Sequence, residues 1–198
     1  MEVKKNIIVL VHGFLTKKIQ NTETAHDIPG LIKGNFYVFE KIYQDFFQRL
    51  YEFAYYYLGQ DKPSEDIVQD VFLHLWENRE KIDPNINLKS YLYTAVKNRS
   101  LNTKRHHKVK QKYEELQLLL PTTVEMPDEV LQQKEILTTI EQAINDLPEK
   151  RRIIFMMHRF ENFTYSQIAQ IQNISIKTVE TQIKRSVDYI EKKLEQLL

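Results

Sequence analysis

The sequence contains no cysteine. Disulfide bridges and thiolate metal sites are therefore excluded, and the absence fits a reducing compartment. Glycine and proline are scarce, with four and six among 198 residues. So few turn-formers cannot serve a sandwich or barrel with many tight connections, and long periodic stretches with few breakers favour an all-α chain. No long apolar run is present either. Ile7–Val11 is far too short to span a bilayer, and no signal-peptide cleavage pattern follows it. The expectation is a cytoplasmic protein without direct membrane insertion.

Hydrophobic residues make up 42% and charged residues 28%, both ordinary for a globular protein. The net charge of +1 hides an uneven distribution. From Lys97 to Lys112 the charged residues are Lys97, Arg99, Lys104, Arg105, Lys108, Lys110 and Lys112, with no acid among them. From Tyr113 to Glu149, Lys134 stands alone against Glu114, Glu115, Glu125, Asp128, Glu129, Glu135, Glu141, Asp146 and Glu149. A basic block lies beside an acidic one.

Residues 1–30 are the least readable and stay unassigned. Ile7–Val11 suits a short strand, and His12-Gly13-Phe14 is similar to the oxyanion loop of α/β-hydrolases. No G-x-S-x-G elbow follows, and the few glycines cannot supply that fold's turns. From Phe36 to Leu58 apolar residues recur at helical spacing, and Gly59 is a C-terminal stop. Pro63-Ser64 opens a second helix, with Ser64 as its cap and Ile67, Val68, Val71, Phe72, Leu75 and Trp76 as its buried stripe. Asp83-Pro84-Asn85 is a turn, and a third helix from Leu88 buries Leu88, Tyr91, Leu92, Ala95 and Val96. The three helices can close a small bundle over residues 31–112. Residues 113–129 read as an acidic linker containing Pro121 and Pro127, and residues 130–198 form a second helical domain.

The most specific local pattern runs from Thr164 to Lys192. Thr164-Tyr165-Ser166-Gln167 is a capping box that opens a short helix burying Ile168 and Ala169. Asn173 falls in a turn where positive φ is expected, and Ser175 caps the next helix. That helix is expected to bury Ile176, Val179, Ile183, Val187 and Ile190, and to offer Lys177, Thr178, Glu180, Thr181, Lys184 and Arg185 on its other face. This is the division a helix-turn-helix needs: one face is fixed to a scaffold, and the N-terminal residues are free to meet base edges.

Three segments, Leu147–Arg152, Phe163–Ala169 and Ser175–Glu180, resemble region 4 of the extracytoplasmic-function subfamily of sigma-70-type RNA polymerase sigma factors. LuxR-type regulators, which bind duplex DNA without being polymerase subunits, also use a T-V-E-T segment and are the alternative. Ser64–Phe72 resembles the subfamily's region 2.2, and Leu88–Asn98 resembles regions 2.3 and 2.4. The resemblance spans roughly Leu31 to Leu198, and its nearest flavour is the Bacteroidetes set grouped with ferric-citrate-type regulators.

The resemblance implies a two-domain, all-α sigma factor with no catalytic residues, metal or cofactor. It implies that Asp66, Gln69, Asp70 and Phe72 lie on the helix docking on the β′ clamp helices of RNA polymerase core, with a further contact to the β flap. The loop Asp83–Asn87, including Asn85 and Asn87, would capture an unstacked minus-ten base. Tyr91, Tyr93, Lys97, Asn98 and Arg99 would line the melted strand, with Lys104 and Arg105 on phosphates. Tyr91 is equally well placed to be core. Ser175, Lys177, Thr178, Glu180, Thr181, Lys184 and Arg185 would meet the minus-thirty-five element. An anti-sigma partner is typical of the subfamily. Tyr91 stands where a tryptophan is common, Glu180 where a basic residue is usual, and Asn173 where a glycine is usual. Glu180 could instead accept from a cytosine amine.

Overall fold

A computed structural model describes residues 26–107 and 138–197. Every regular element among the described residues is helical, and these residues gather into two compact units, 26–107 and 138–197. The expected strand at Ile7–Val11, the His12-Gly13-Phe14 segment, Lys108, Lys110, Lys112 and the linker lie outside the described residues.

The first unit holds α1 (Ile28–Ile32), α2 (Phe36–Leu58), α3 (Asp61–Glu77), a 3-10 turn (Arg79–Lys81) and α4 (Leu88–His107). It includes α1, which anchors through buried Ile28 and Leu31. Asp27 Oδ1 accepts from the Gly30 N–H at 2.9 Å, and Pro29 sits in the first turn, where a missing N–H costs nothing. Gly34 turns the chain at φ 78°, and Asn35 caps α2 by accepting from the Tyr37 N–H at 3.1 Å. Gly59 ends α2 in the left-handed region, φ 66°, as its position after Leu58 predicts.

The start of α3 differs from expectation. The helix begins at Asp61, so Ser64 is not its cap. Ser64 is fully buried within the first turns and its hydroxyl donates to the Gln60 carbonyl at 2.6 Å. Pro63 is tolerated there because the first-turn amides have no helical acceptor. Helices α2, α3 and α4 pack together around Ile42, Leu50, Val68, Leu75, Leu92 and Val96. Aromatic rings fill the seams: Tyr43 meets Phe72 at 4.8 Å, and Phe53 meets Tyr93 at 4.8 Å. Arg79 closes the end of α3 by lying over the Trp76 ring and donating to the Trp76 carbonyl at 2.8 Å.

The second unit holds α5 (138–145), α6 (Glu149–Arg159), α7 (Tyr165–Gln172) and α8 (Ile176–Leu197). Pro148 immediately precedes α6, and the Arg152 guanidinium returns to the Asn145 carbonyl at 2.8 Å, satisfying the end of α5. Helices α6, α7 and α8 pack on one another through Ile153, Phe155, Met157, Ile168, Val179 and Ile190. Arg151 Nε donates to Gln182 Oε1 at 3.1 Å, tying α6 to α8.

Candidate functional site

The exposed side chains of α3 form one line. Asp66, Gln69 and Asp70 are all exposed, and Leu73, His74 and Glu77 continue the series along the same helix face. Asp66 pairs with Lys62 at 3.4 Å, and Gln69 Nε2 donates to Glu65 Oε1 at 3.0 Å. Both contacts are exposed, so each holds a side chain by no more than ~1 kcal/mol and yields readily to a partner. Phe72 is not on this line. Only 2% of it is exposed, because it turns inward against Phe39 and Tyr43, so the expected docking role of Phe72 is corrected. Leu73 takes the outward position, with 56% of its surface exposed. The signal was available in the spacing: position 73 follows 66, 69 and 70 at helical intervals, whereas 72 follows 68 and 71 on the buried stripe.

The loop before α4 is a tight turn. The Asn85 N–H donates to Asp83 Oδ1 at 2.9 Å, and the Ile86 N–H donates to the Asp83 carbonyl at 3.0 Å. Asn85 and Asn87 are both exposed. Asn87 also caps α4, its side chain accepting from the Ser90 N–H at 2.8 Å. Its oxygen is thereby fixed to the helix start, leaving the amide NH2 as the group to present outward.

Along α4, Leu88, Leu92 and Val96 form the buried seam, while Tyr91, Asn98 and Arg105 recur every seven residues on the opposite side. Tyr91 is half-buried; Tyr93 is fully buried against Phe53. The two tyrosines therefore divide differently from expectation: Tyr93 is core and cannot line a strand, and Tyr91 holds the outward-leaning place. Lys97 and Lys104, both half-buried, flank the outer face, whereas half-buried Arg99 follows Leu92 and Val96 on the seam side of the helix. Burial lowers the Lys97 ammonium from its ordinary pKa.

Helices α7 and α8 form the expected corner. The Gln167 N–H donates to the Thr164 hydroxyl at 3.2 Å, and the Thr164 N–H donates to Gln167 Oε1 at 2.8 Å, completing the capping box. Asn173 adopts φ 56°, and the Ile174 N–H donates to the Ala169 carbonyl at 3.0 Å. Ser175 caps α8 by accepting from the Thr178 N–H at 3.0 Å. From there Val179, Ile183, Val187, Ile190 and Leu194 point into the core. Ser175, Lys177, Thr178, Glu180, Lys184 and Arg185 are exposed, and Thr181 is half-buried. Ile176 departs from expectation, being 53% exposed rather than buried. Lys177 pairs with Glu180 at 3.3 Å, and the Thr181 hydroxyl donates to the Lys177 carbonyl at 2.8 Å. Burial, and then the charge of Glu180, raise the Tyr165 hydroxyl above its ordinary pKa.

Such a helix presents cations, hydroxyls and one carboxylate on a rigid frame, the chemistry of groove and phosphate contact rather than of bond making. Among the described residues no group of three or more His, Cys, Asp and Glu comes together to hold a metal ion, and no helix is long and apolar enough to cross a membrane. The sequence matches the family description "Sigma-70 region 2" over residues 42–109 and "Sigma-70, region 4" over residues 137–188, together more than half of the chain.

The chain belongs to the sigma-70 family.

The two matches fall on the two units in order, and the LuxR-type alternative gives no account of the first. This sigma factor is similar to the ECF RNA polymerase sigma factor SigW of Bacillus subtilis (strain 168), with 27% identity over 176 residues that cover 83% of this chain and 93% of SigW. It is also similar to the ferric citrate uptake sigma factor FecI of Escherichia coli (strain K12), with 27% identity over 127 residues, 64% of this chain and 73% of FecI. Its fold is that of the sigma factor RpoE from Bartonella quintana, solved in complex with the anti-sigma factor NepR: the TM-score is 0.60 at 22% identity, covering 79% of this chain and 96% of RpoE.

Proposed function

We propose that this sigma factor works as a two-point adaptor of the extracytoplasmic-function type, nearest to the Bacteroidetes set. It binds RNA polymerase core, directs it to specific promoters and assists their opening. One observation carries the reading: α3 and α8, each with one side packed and the other exposed, occupy separate units of one chain, and the units match regions 2 and 4 in that order.

In this reading Asp66, Gln69 and Asp70, with Leu73 among them, meet the β′ clamp helices. Acidic and polar groups steer the encounter, and the leucine supplies apolar contact. Asn85 and Asn87 take the flipped minus-ten base. Tyr91, Lys97, Asn98 and Arg99 hold the melted strand, while Lys104 and Arg105 balance phosphate charge. Trapping unstacked bases offsets the few kcal/mol that each costs to unstack. Ser175, Lys177, Thr178, Glu180, Thr181, Lys184 and Arg185 read or grip the minus-thirty-five element, and the second unit also meets the β flap. The domain limits follow the same division: 31–112 for region 2, 113–129 for the linker and 130–198 for region 4. The work is done by binding, without catalytic residues, metal or cofactor. It places the protein in the cytoplasm, where polymerase and chromosome are. RpoE, with the similar fold, is held by an anti-sigma factor, and we propose a partner of that kind here.

Run-off transcription tests the proposal, using core enzyme, this chain and the DNA upstream of its own gene. Start-specific transcript is expected with wild type and loss of core capture with Asp66→Arg plus Gln69→Ala. No complex with core, or one indifferent to the double variant, would sink the proposal.

A further inference from the structure

The Ser175 cap and the first three residues of α8, Ile176, Lys177 and Thr178, are all exposed before Val179 turns inward. Exposure on successive residues of a helix means exposure all round, so this first turn projects from the body of the domain. Ile176 belongs by spacing to the buried series of Val179, Ile183, Val187, Ile190 and Leu194. Those five are at most 7% exposed, while Ile176 is 53% exposed. It lies one turn beyond the packing that covers them.

The polar groups around it are engaged with one another. The Ser175 hydroxyl accepts from the Thr178 N–H and shares a 2.8 Å hydrogen bond with the Thr178 hydroxyl. Lys177 pairs with Glu180, and Thr181 bonds the Lys177 carbonyl. Ile176 is the large apolar group on this turn. A single exposed isoleucine on a general surface means little. On the leading turn of a helix that entered the major groove, the apolar group such a side chain would meet is the one that base edges present there, the thymine C5 methyl.

We propose that Ile176 is a specificity-determining residue that reads a thymine in the upstream promoter element through its 5-methyl group. This rests on the reading of α8 as the promoter-reading helix. The discrimination has two parts. Contact with the methyl removes apolar surface from water. The same side chain over a cytosine amine or guanine O6 covers a polar group that it cannot bond, which disfavours G·C at that position.

The test uses holoenzyme, formed from this chain and polymerase core, on its promoter. Each thymine of the upstream element is replaced singly by deoxyuridine, which lacks only the methyl. For wild type, one position is expected to lose about fourfold in affinity, equivalent to ~0.8 kcal/mol at 1.4 kcal/mol per factor of ten. Ile176→Ala is expected to bind natural DNA more weakly and to show no further loss at that position. Ile176→Val, which keeps the branched methyls, is expected to retain the loss. Core affinity and thermal stability of both variants should match wild type, since the side chain is mostly outside the core. A wild-type complex indifferent to every deoxyuridine, or an Ile176→Ala complex that keeps the full penalty, overturns the inference alone. Failure of wild-type holoenzyme to bind any promoter overturns the sigma reading and the inference with it.

Discussion

Phe72 and Leu73 are neighbours in sequence and opposites in the fold, and truncating each separates stability from binding. Phe72 is 2% exposed and wedged among Phe39 and Tyr43. Removing a buried phenylalanine costs ~3–5 kcal/mol, through lost transfer energy and the cavity left behind. For a unit of this size, Phe72→Ala should lower Tm by more than ~10 °C. Leu73 keeps 56% of its surface in solvent, so Leu73→Ala should leave Tm within the ~0.5 kcal/mol range of surface changes. Alanine also favours the helix. The exposed part of Leu73 remains available to a partner. Full burial of a leucine is worth ~1.5–3 kcal/mol, so completing it against polymerase is worth ~1–1.5 kcal/mol. That predicts roughly a five- to tenfold loss in core affinity for Leu73→Ala. Circular dichroism melting gives the first quantity, and fluorescence anisotropy of labelled chain titrated with core gives the second. If Leu73→Ala binds core like wild type, or melts like Phe72→Ala, the assignment of the two faces is refuted.

Further expectations concern the caps, the tyrosines and one histidine. Thr164→Ala removes the hydroxyl of the capping box and should cost ~1 kcal/mol, read as an earlier melt of the second unit. Asn173→Ala should destabilise and Asn173→Gly should not, because φ 56° strains a residue with a Cβ unless its side chain compensates locally; urea denaturation of the two variants gives the sign. Tyr91→Ala should reduce promoter opening, measured by permanganate footprinting, with a near-normal melt, whereas Tyr93→Ala should melt early through loss of its contact with Phe53. His26, its ring tilted against Phe46 at 5.2 Å and 3.8 Å from Asp45, is held below its ordinary pKa of 6.5 by burial and by Lys41, against the opposing pull of Asp45. The unfolded chain therefore binds the proton more readily. The contribution of His26 to stability is present above pH 6.5 and is lost as pH falls from 6.5 through the lowered folded value. His26→Gln should flatten that part of the Tm-versus-pH curve, and an unchanged slope would remove His26 as its source.

Devices that act within a few residues were legible in the sequence, because both partners of each interaction sit within one or two turns of chain. The Thr164–Gln167 box, the left-handed Asn173, the Ser175 cap and the Gly59 stop all stand where residue type and spacing put them. So do the two motif-bearing helices, which fall in the order of regions 2 and 4. Even local signals compete, however. Ser64 looks like a cap, but α3 starts a turn earlier at Asp61 and encloses it. Periodicity marked the covered stripes of α3 and α8, but tertiary packing decided how far along a helix the cover extends. Periodicity puts Ile176 in line with Val179, yet the neighbouring helices cover the second and not the first. Tyr91 and Tyr93 on α4 are aromatic residues two positions apart on one helix, and composition cannot rank them. Burial belongs to the partner surface, and only the position of α2 against α4 sends Tyr93 inward onto Phe53 and leaves Tyr91 half-buried.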